Sequence, residues 1–212
     1  MNLTSELENA LQWRYAVKQF SDQKIEADQL IRLLEATRLS ASSYGLQPYK
    51  ILVIESRELR EQLLPYSYGQ VKIANSSHLI VFAVDKQIGD ITVDRYIQKH
   101  AQVCGVPAVQ LENYSAHMKS ALNAKTATQQ SEWAHQQAYL ALGNLLTSAA
   151  LMQIDSCPMT GIDSAGYDKV LGLAEKGLTT SVICPVGFRH IDDQQAYSSK
   201  VRFDYDDIVM EI

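Results

Sequence analysis

The chain predicts an α+β fold, and three observations carry that reading. Apolar runs of strand length, at 50–54, 78–84 and 181–186, are mixed with helical stretches and lack the regular strand-helix alternation of a doubly wound sheet. One helical stretch, 131–153, is apolar nearly all round from Ala138 onward, so it belongs at the centre of the protein or against a partner subunit. No low-complexity linker or internal repeat divides the 212 residues, and the five prolines are dispersed, which predicts a single domain over 1–212.

Taken in order, Ser5 to Gln12 opens with a capping-box pattern, Ser5…Glu8, and places Leu7, Ala10 and Leu11 at helical spacing. From Arg14 to Phe20 the period changes to an extended one, putting Arg14, Ala16, Lys18 and Phe20 on one face. Glu26 to Leu39 is amphipathic through Leu30, Leu33, Leu34 and Thr37, and a Ser-rich turn, Ser40 to Tyr49, leads into the strand at Lys50–Ile54. A short helix is predicted at Glu58–Leu64, and His78–Val84 reads as a strand buried on both faces. Residues 90–125 are helical in pattern, with Leu111, Tyr114, Met118 and Leu122 as a stripe. After the long helix come the third apolar strand, Ser181–Val186, and a polar-apolar tail, Lys200–Ile212.

Composition narrows what the domain does. Its 46% apolar and 20% charged residues suit a globular core and exclude a disordered chain. The net charge of −5 argues against a general nucleic-acid binder, so any anion must be held by a local cluster of cations. Three cysteines with no CxxC pair predict a reducing, cytoplasmic setting rather than a disulfide framework. The opening MNLTSELENALQWR lacks a basic stretch followed by an apolar run, and no ~20-residue apolar span is present, so neither a signal peptide nor a membrane segment is expected.

Most chemistry-bearing motifs are absent. The five histidines form no HExxH, and Glu132-x-x-His135 would supply only half of a carboxylate di-iron centre. No GxxxxGK[ST], GxGxxG or GxSxG occurs. What remains is a set of cations at extended-chain spacing: Arg14 and Lys18, about 13 Å apart, Lys72 before a strand, and Lys200-x-Arg202, whose side chains point the same way. Lys200 and Arg202 could grip one phosphate together, and the guanidinium fork of Arg14 suits the same task. The alternative is that these are solvated surface charges.

Arg14-Tyr15-Ala16-Val17-Lys18-Gln19-Phe20 resembles the opening motif of the FMN-dependent nitroreductase family. Ser42-Ser43-x-x-x-Gln47-Pro48-Tyr49 is similar to its second motif, Cys157-Pro158-Met159-Thr160-Gly161 to its third, and Lys200-x-Arg202 to its last, with Gln137-x-Tyr139 on the central helix. The resemblance implies a central, mainly antiparallel sheet flanked by helices and an intertwined homodimer with FMN at its interface. It implies that Arg14, Lys200 and Arg202 hold the FMN phosphate, that Lys18, Lys72 and Gln70 lie near the flavin pyrimidine, and that Ser42 and Ser43 come from the partner subunit. Pro158 to Gly161 would pass the N5 side of the ring, while Tyr15, Ala16, Gln47 and Met159 complete the cofactor-contacting set. Lys18, Lys72 and Thr160 would tune the flavin, with no side chain as an obligatory acid or base.

The implied activity is ping-pong transfer of hydride from NADH or NADPH to nitroaromatics, quinones or related small-molecule acceptors. The same fold could serve dihydropteridine reduction, reductive dehalogenation or flavin binding without turnover. Departures from the common pattern are Ala16 for Ser or Thr, Ala41 and Gly45 for Pro and Asn, Tyr49 for Trp, and Thr160 where the enterobacterial branch has Glu. Positions 45 and 160 bear on substrate preference.

Overall fold

A computed structural model describes residues 3–212. Four strands form one antiparallel sheet in the order β1-β2-β4-β3, with β1 at Tyr49–Ile54, β2 at His78–Asp85, β3 at Asp155–Ser156 and β4 at Leu178–Gly187. The central pair runs from His78 opposite Val186 to Asp85 opposite Leu178, with one register irregularity between Phe82 and Ala83. The two-residue β3, which carries no apolar run, is the strand that sequence patterning misses.

β2 is buried from end to end because each of its faces meets a separate core. Ile80, Phe82 and Val84, with Val182, Cys184 and Val186 of β4, pack on α7 (Ala127–Leu151) and on Leu33 of α2 (Ala27–Arg38). The α7 side of that contact is mostly small: Ala134, Ala138, Ala141 and Ala149 let the helix approach the sheet closely. Leu79, Val81 and Ile183 face the other way, onto Leu63, Ile73, Cys157, Met159 and Tyr167. Each fully buried large apolar side chain contributes roughly 1.5–3 kcal/mol, so the double-sided sheet is the main source of stability.

The helices largely fall where the pattern predicts, with differences that have local causes. Ser5 lies inside α1 (Leu3–Trp13), not at its cap. α7 starts four residues before the apolar stripe, at a capping box in which Thr126 Oγ1 accepts from the Gln129 amide and the Gln129 side chain accepts from the Thr126 amide. The 90–125 stretch splits into α5 (Asp90–Cys104) and α6 (Glu112–Asn123) at Gly105, whose φ of 66° is left-handed and ends the first helix. Met118 and Leu122 of the predicted stripe are buried, while Tyr114 is at the surface. The remaining helices are α3 (Arg57–Gln62), α4 (Lys72–Asn75), α8 (Ser164–Leu171) and α9 (Tyr205–Ile208).

Apolar side chains are also left outside the core. Tyr139, Leu140 and Leu151 of α7 are exposed, as are Val201, Phe203, Tyr205, Ile208, Met210 and Ile212 of the tail. Among the described residues no helix is long and apolar enough to cross a membrane.

One glycine is fixed by packing alone. A Cβ on Gly166 of α8 would sit 1.9 Å from Cδ1 of Tyr66, well inside contact distance. Gly166→Ala is therefore expected to destabilise the fold by about 1–3 kcal/mol through overpacking, despite alanine's better helix propensity. Thermal denaturation checks this, and an unchanged or raised Tm contradicts it.

Candidate functional site

The segment that leaves α1 is irregular, and side chains from distant elements hold it in place. Ala16 pairs with Ser156 and Phe20 with Arg189 through isolated bridges, which is what makes the stretch extended. Arg189 is gripped by Asp155, with Nη2 2.6 Å from Oδ1 and Nε 3.0 Å from both carboxylate oxygens. Its guanidinium carbon lies 4.2 Å from the Trp13 ring centroid and 4.6 Å from that of Tyr15. One partly buried ion pair thus presents a flat cation on which both aromatic rings stack.

Asp193 completes the fastening. Its Oδ2 accepts from the Tyr15 hydroxyl at 3.1 Å and from the amides of Lys18 and Gln19 at 2.8 and 3.2 Å, while Oδ1 accepts from the Gln195 amide at 3.1 Å. Burial works to raise this carboxyl's pKa, but the hydrogen bonds from Lys18, Gln19, Gln195 and Tyr15 outweigh it and hold it below the usual aspartate range. Burial raises the Tyr15 hydroxyl, opposed by the Arg189 charge and helped by Asp193. Val17 and Phe20 turn into the core, so Phe20 does not share the face of Arg14 and Lys18 as strict alternation predicts.

Between the two fastened segments lies a cleft of about 720 Å³. Arg14, Tyr15, Ala16 and Lys18 line it from the N-terminal side, Pro158 from the loop after β3, and Lys200 and Arg202 from the C-terminal side. The cations crowd one another. Burial lowers the pKa of Arg14, and the charge of Arg202 lowers it further; Lys200 is lowered by burial, then by Arg14 and Arg202. Arg14 Nε is buried without a hydrogen-bond partner. Lys200 Nζ donates to the carbonyls of Leu11 and Arg14, closing the end of α1 and leaving one N–H for another acceptor. The Lys18 ammonium has no hydrogen bond or ion pair among the described residues.

The other predicted site residues do not line this cleft. Lys72 opens α4 and is 9% exposed, with no hydrogen bond or ion pair for its ammonium among the described residues. Its helix is held by Arg60, 1% exposed, which donates to the carbonyls of Ile73, Ser76 and Glu55. Gln70 lies two residues before α4. Met159 is buried and hydrogen-bonded to Ile183 through its backbone, whereas Thr160 and Gly161 are exposed in the following turn. Ser42, Ser43 and Gln47 form a turn anchored to α7: the Ser43 amide donates to Gln137 Oε1 at 2.8 Å, and Ser42 Oγ accepts from the Gln47 amide. Tyr44, Gly45 and Gln47 in that turn have left-handed φ angles.

Sequence reasoning missed Asp155, Arg189 and Asp193. The one local signal was the Asp193-x-Gln195 spacing of an Asx turn, which marks a bend but not a clasp to residue 15.

Comparison with known proteins places the chain. Residues 11–188 match the profile of the Nitroreductase family. A Staphylococcus haemolyticus protein, provisionally named an NAD(P)H nitroreductase, is 34% identical over 95% of this chain and 94% of its own length. A Bacillus subtilis structure described as a nitroreductase superposes with a TM-score of 0.85 at 20% identity, covering 99% of this chain and all of the other. An Exiguobacterium sibiricum protein, provisionally named a nitroreductase and solved in complex with FMN, superposes at 0.82 and 19% identity, over 97% of each chain.

Because the folded pKa of Asp193 is depressed, its stabilisation is complete above the ordinary aspartate value of about 3.9 and is lost as the pH falls toward and through the lower folded value. Asp193→Asn is expected to cost about 1–3 kcal/mol near neutrality and to flatten the loss of stability on acidification. Denaturant unfolding at pH 7 and pH 3 measures both, and parallel acid losses in the two proteins would contradict the assignment.

Proposed function

The chain belongs to the nitroreductase family, and from that premise we propose that it is an FMN-dependent oxidoreductase using NADH or NADPH to reduce nitroaromatics, quinones or similar conjugated acceptors. One observation carries the reading: Arg14 from one end of the chain and Lys200 and Arg202 from the other meet in a single cleft, where burial and neighbouring positive charge lower the basicity of Arg14 and Lys200. Such crowding is relieved by a dianion, and the partnerless Arg14 Nε supplies a buried donor for it. These residues fit the phosphate of FMN. The cleft volume is within the range of cofactor sites.

When bound, FMN supplies the redox chemistry, accepting hydride from the nicotinamide and passing two electrons to the acceptor. The protein supplies position and charge. Arg14, Arg202 and the free N–H of Lys200 hold the phosphate, and the Tyr15–Asp193 clasp fixes the backbone from which Lys18 projects. Lys18 and Lys72, whose ammonium groups have no hydrogen bond or ion pair among the described residues, would offset the negative charge that reduction adds to the ring system. At about 4 Å and an effective dielectric of about 20, one such charge interacts by roughly 4 kcal/mol before desolvation, enough to shift a redox midpoint. We infer a ping-pong order, with the donor leaving before the acceptor binds.

The working unit is a homodimer. β1 is an edge strand of the sheet, and the tail from Val201 to Ile212 is exposed along its whole length with its apolar side chains uncovered. A second copy would cover both. Ser42, Ser43 and Gln47 lie outside the chain's own cleft, as residues that serve the partner's cofactor would.

Arg202 is exposed, so Arg202→Ala leaves the fold intact while removing a charge-assisted phosphate contact. Its FMN dissociation constant should rise by roughly tenfold or more; fluorescence titration giving equal affinities would count against the phosphate site. Lys18→Met should lower the flavin midpoint potential with FMN affinity little changed, and spectroelectrochemistry giving the wild-type potential would remove Lys18 from that role. Anaerobic addition of NADH or NADPH to the yellow holoprotein should bleach the flavin band. A band that persists with both donors would overturn the enzymatic reading.

A further inference from the structure

A second cleft, of about 360 Å³, is built where the end of α2, the 45–47 turn, the start of β1 and one face of α5 meet. It shares no lining residue with the first. Four cations line it, Arg38, Lys50, Arg95 and Lys99, a local reversal of sign in a chain of net charge −5. Two of them are already balanced: Arg38 is held by Glu35 at 2.5 and 2.7 Å, and Arg95 by Asp85 at 3.0 Å. The two lysines are not. Lys50 has no hydrogen bond or ion pair among the described residues, and Lys99 reaches only the neutral side-chain oxygen of Gln102, at 3.3 Å.

The walls add two features that a solvated lysine patch lacks. The ring of Tyr96 closes one side, packed so tightly on the turn that a Cβ at Gly45 would lie 3.0 Å from it. Tyr49, only 6% exposed, also lines the cleft, and its buried hydroxyl has no hydrogen-bond partner at accepted geometry. Burial raises that hydroxyl's pKa. The cleft therefore combines two uncompensated positive charges and an aromatic ring within a volume suited to a mononucleotide.

We propose that this cleft is a nucleotide-phosphate subsite, Lys50 and Lys99 holding the phosphoryl group and the Tyr96 ring packing against the base. It shares no lining residue with the first cleft, but Gln47 on its wall is one of the residues that would serve the partner's cofactor, and its NADPH arm rests on the proposed function. Two sources share the chemistry: the 2′-phosphoadenosine end of NADPH, and a free nucleotide or phosphate.

Isothermal titration of the FMN-loaded protein with 2′,5′-ADP, 5′-ADP and inorganic phosphate separates them. Binding of 2′,5′-ADP well above the other two assigns the site to NADPH; comparable binding of all three assigns it to free phosphate compounds, and either supports the subsite. Both lysines are exposed, so Lys99→Gln and the double variant Lys50→Ala/Lys99→Ala should retain FMN. The single change should weaken binding roughly tenfold and the double change more. No heat with any of the three probes, or unchanged affinity in the double variant, overturns the proposal. So does a changed protomer number for the double variant in light scattering, which would make the cleft a contact between copies.

Discussion

The Asp193 carboxylate is the constraint on which the site depends. It accepts four hydrogen bonds, from Tyr15, Lys18, Gln19 and Gln195, and so binds two segments separated by about 175 residues of chain into one wall. Neither segment has regular structure to hold it. The stretch after α1 makes only isolated bridges to β3 and Arg189, and the stretch after β4 continues through one short turn at Gln194–Tyr197. Charge-assisted hydrogen bonds to a buried carboxylate are stronger than neutral ones, which is why one aspartate can do what a ladder of strand pairs does elsewhere. Arg189 reinforces it from behind, its charge neutralised by Asp155 and its planar faces covered by Trp13 and Tyr15.

That fastening has an electrostatic cost which the site turns to use. Bringing the two segments together forces Arg14, Lys200 and Arg202 into one another's fields, and both Arg14 and Lys200 lose basicity there. Part of the strain is absorbed by carbonyl groups: Lys200 closes the end of α1, as a cation at a helix C-terminus does. The buried Arg60 shows the same logic in a structural role, a guanidinium surrounded by carbonyls that fixes the four-residue helix carrying Lys72.

Periodicity in the sequence was enough to locate the core. The apolar runs at 50–54, 78–84 and 181–186 became the three long strands, and the all-round apolar helix became the packing surface of the larger core. Periodicity cannot report β3, which is two residues long and polar, or the first turn of α7, which is set by a cap between Thr126 and Gln129. The convergence of Arg14, Lys18, Lys200 and Arg202 followed from the motif resemblance, not from spacing, because nothing local ties residue 14 to residue 202. Asp155, Arg189 and Asp193 escaped for the same reason: each acts through a partner far away along the chain, and the Asx-turn spacing at Asp193 marks only a bend. Ser42, Ser43 and Gln47 form a turn anchored within the chain, to Gln137, and do not line the cleft between its two ends.

The two walls of the cleft come from residues 12–18 and 195–202, and this order has a consequence for biosynthesis. At roughly 5–20 residues per second, the ribosome takes many seconds to travel from one wall to the other. Over that interval the nascent chain can assemble α2, β1 and β2, but the cleft between its two ends does not yet exist. On the proposed function, prosthetic-group capture is thereby deferred to the end of translation, and a nascent chain stalled before residue 195 would emerge colourless however well its sheet had formed.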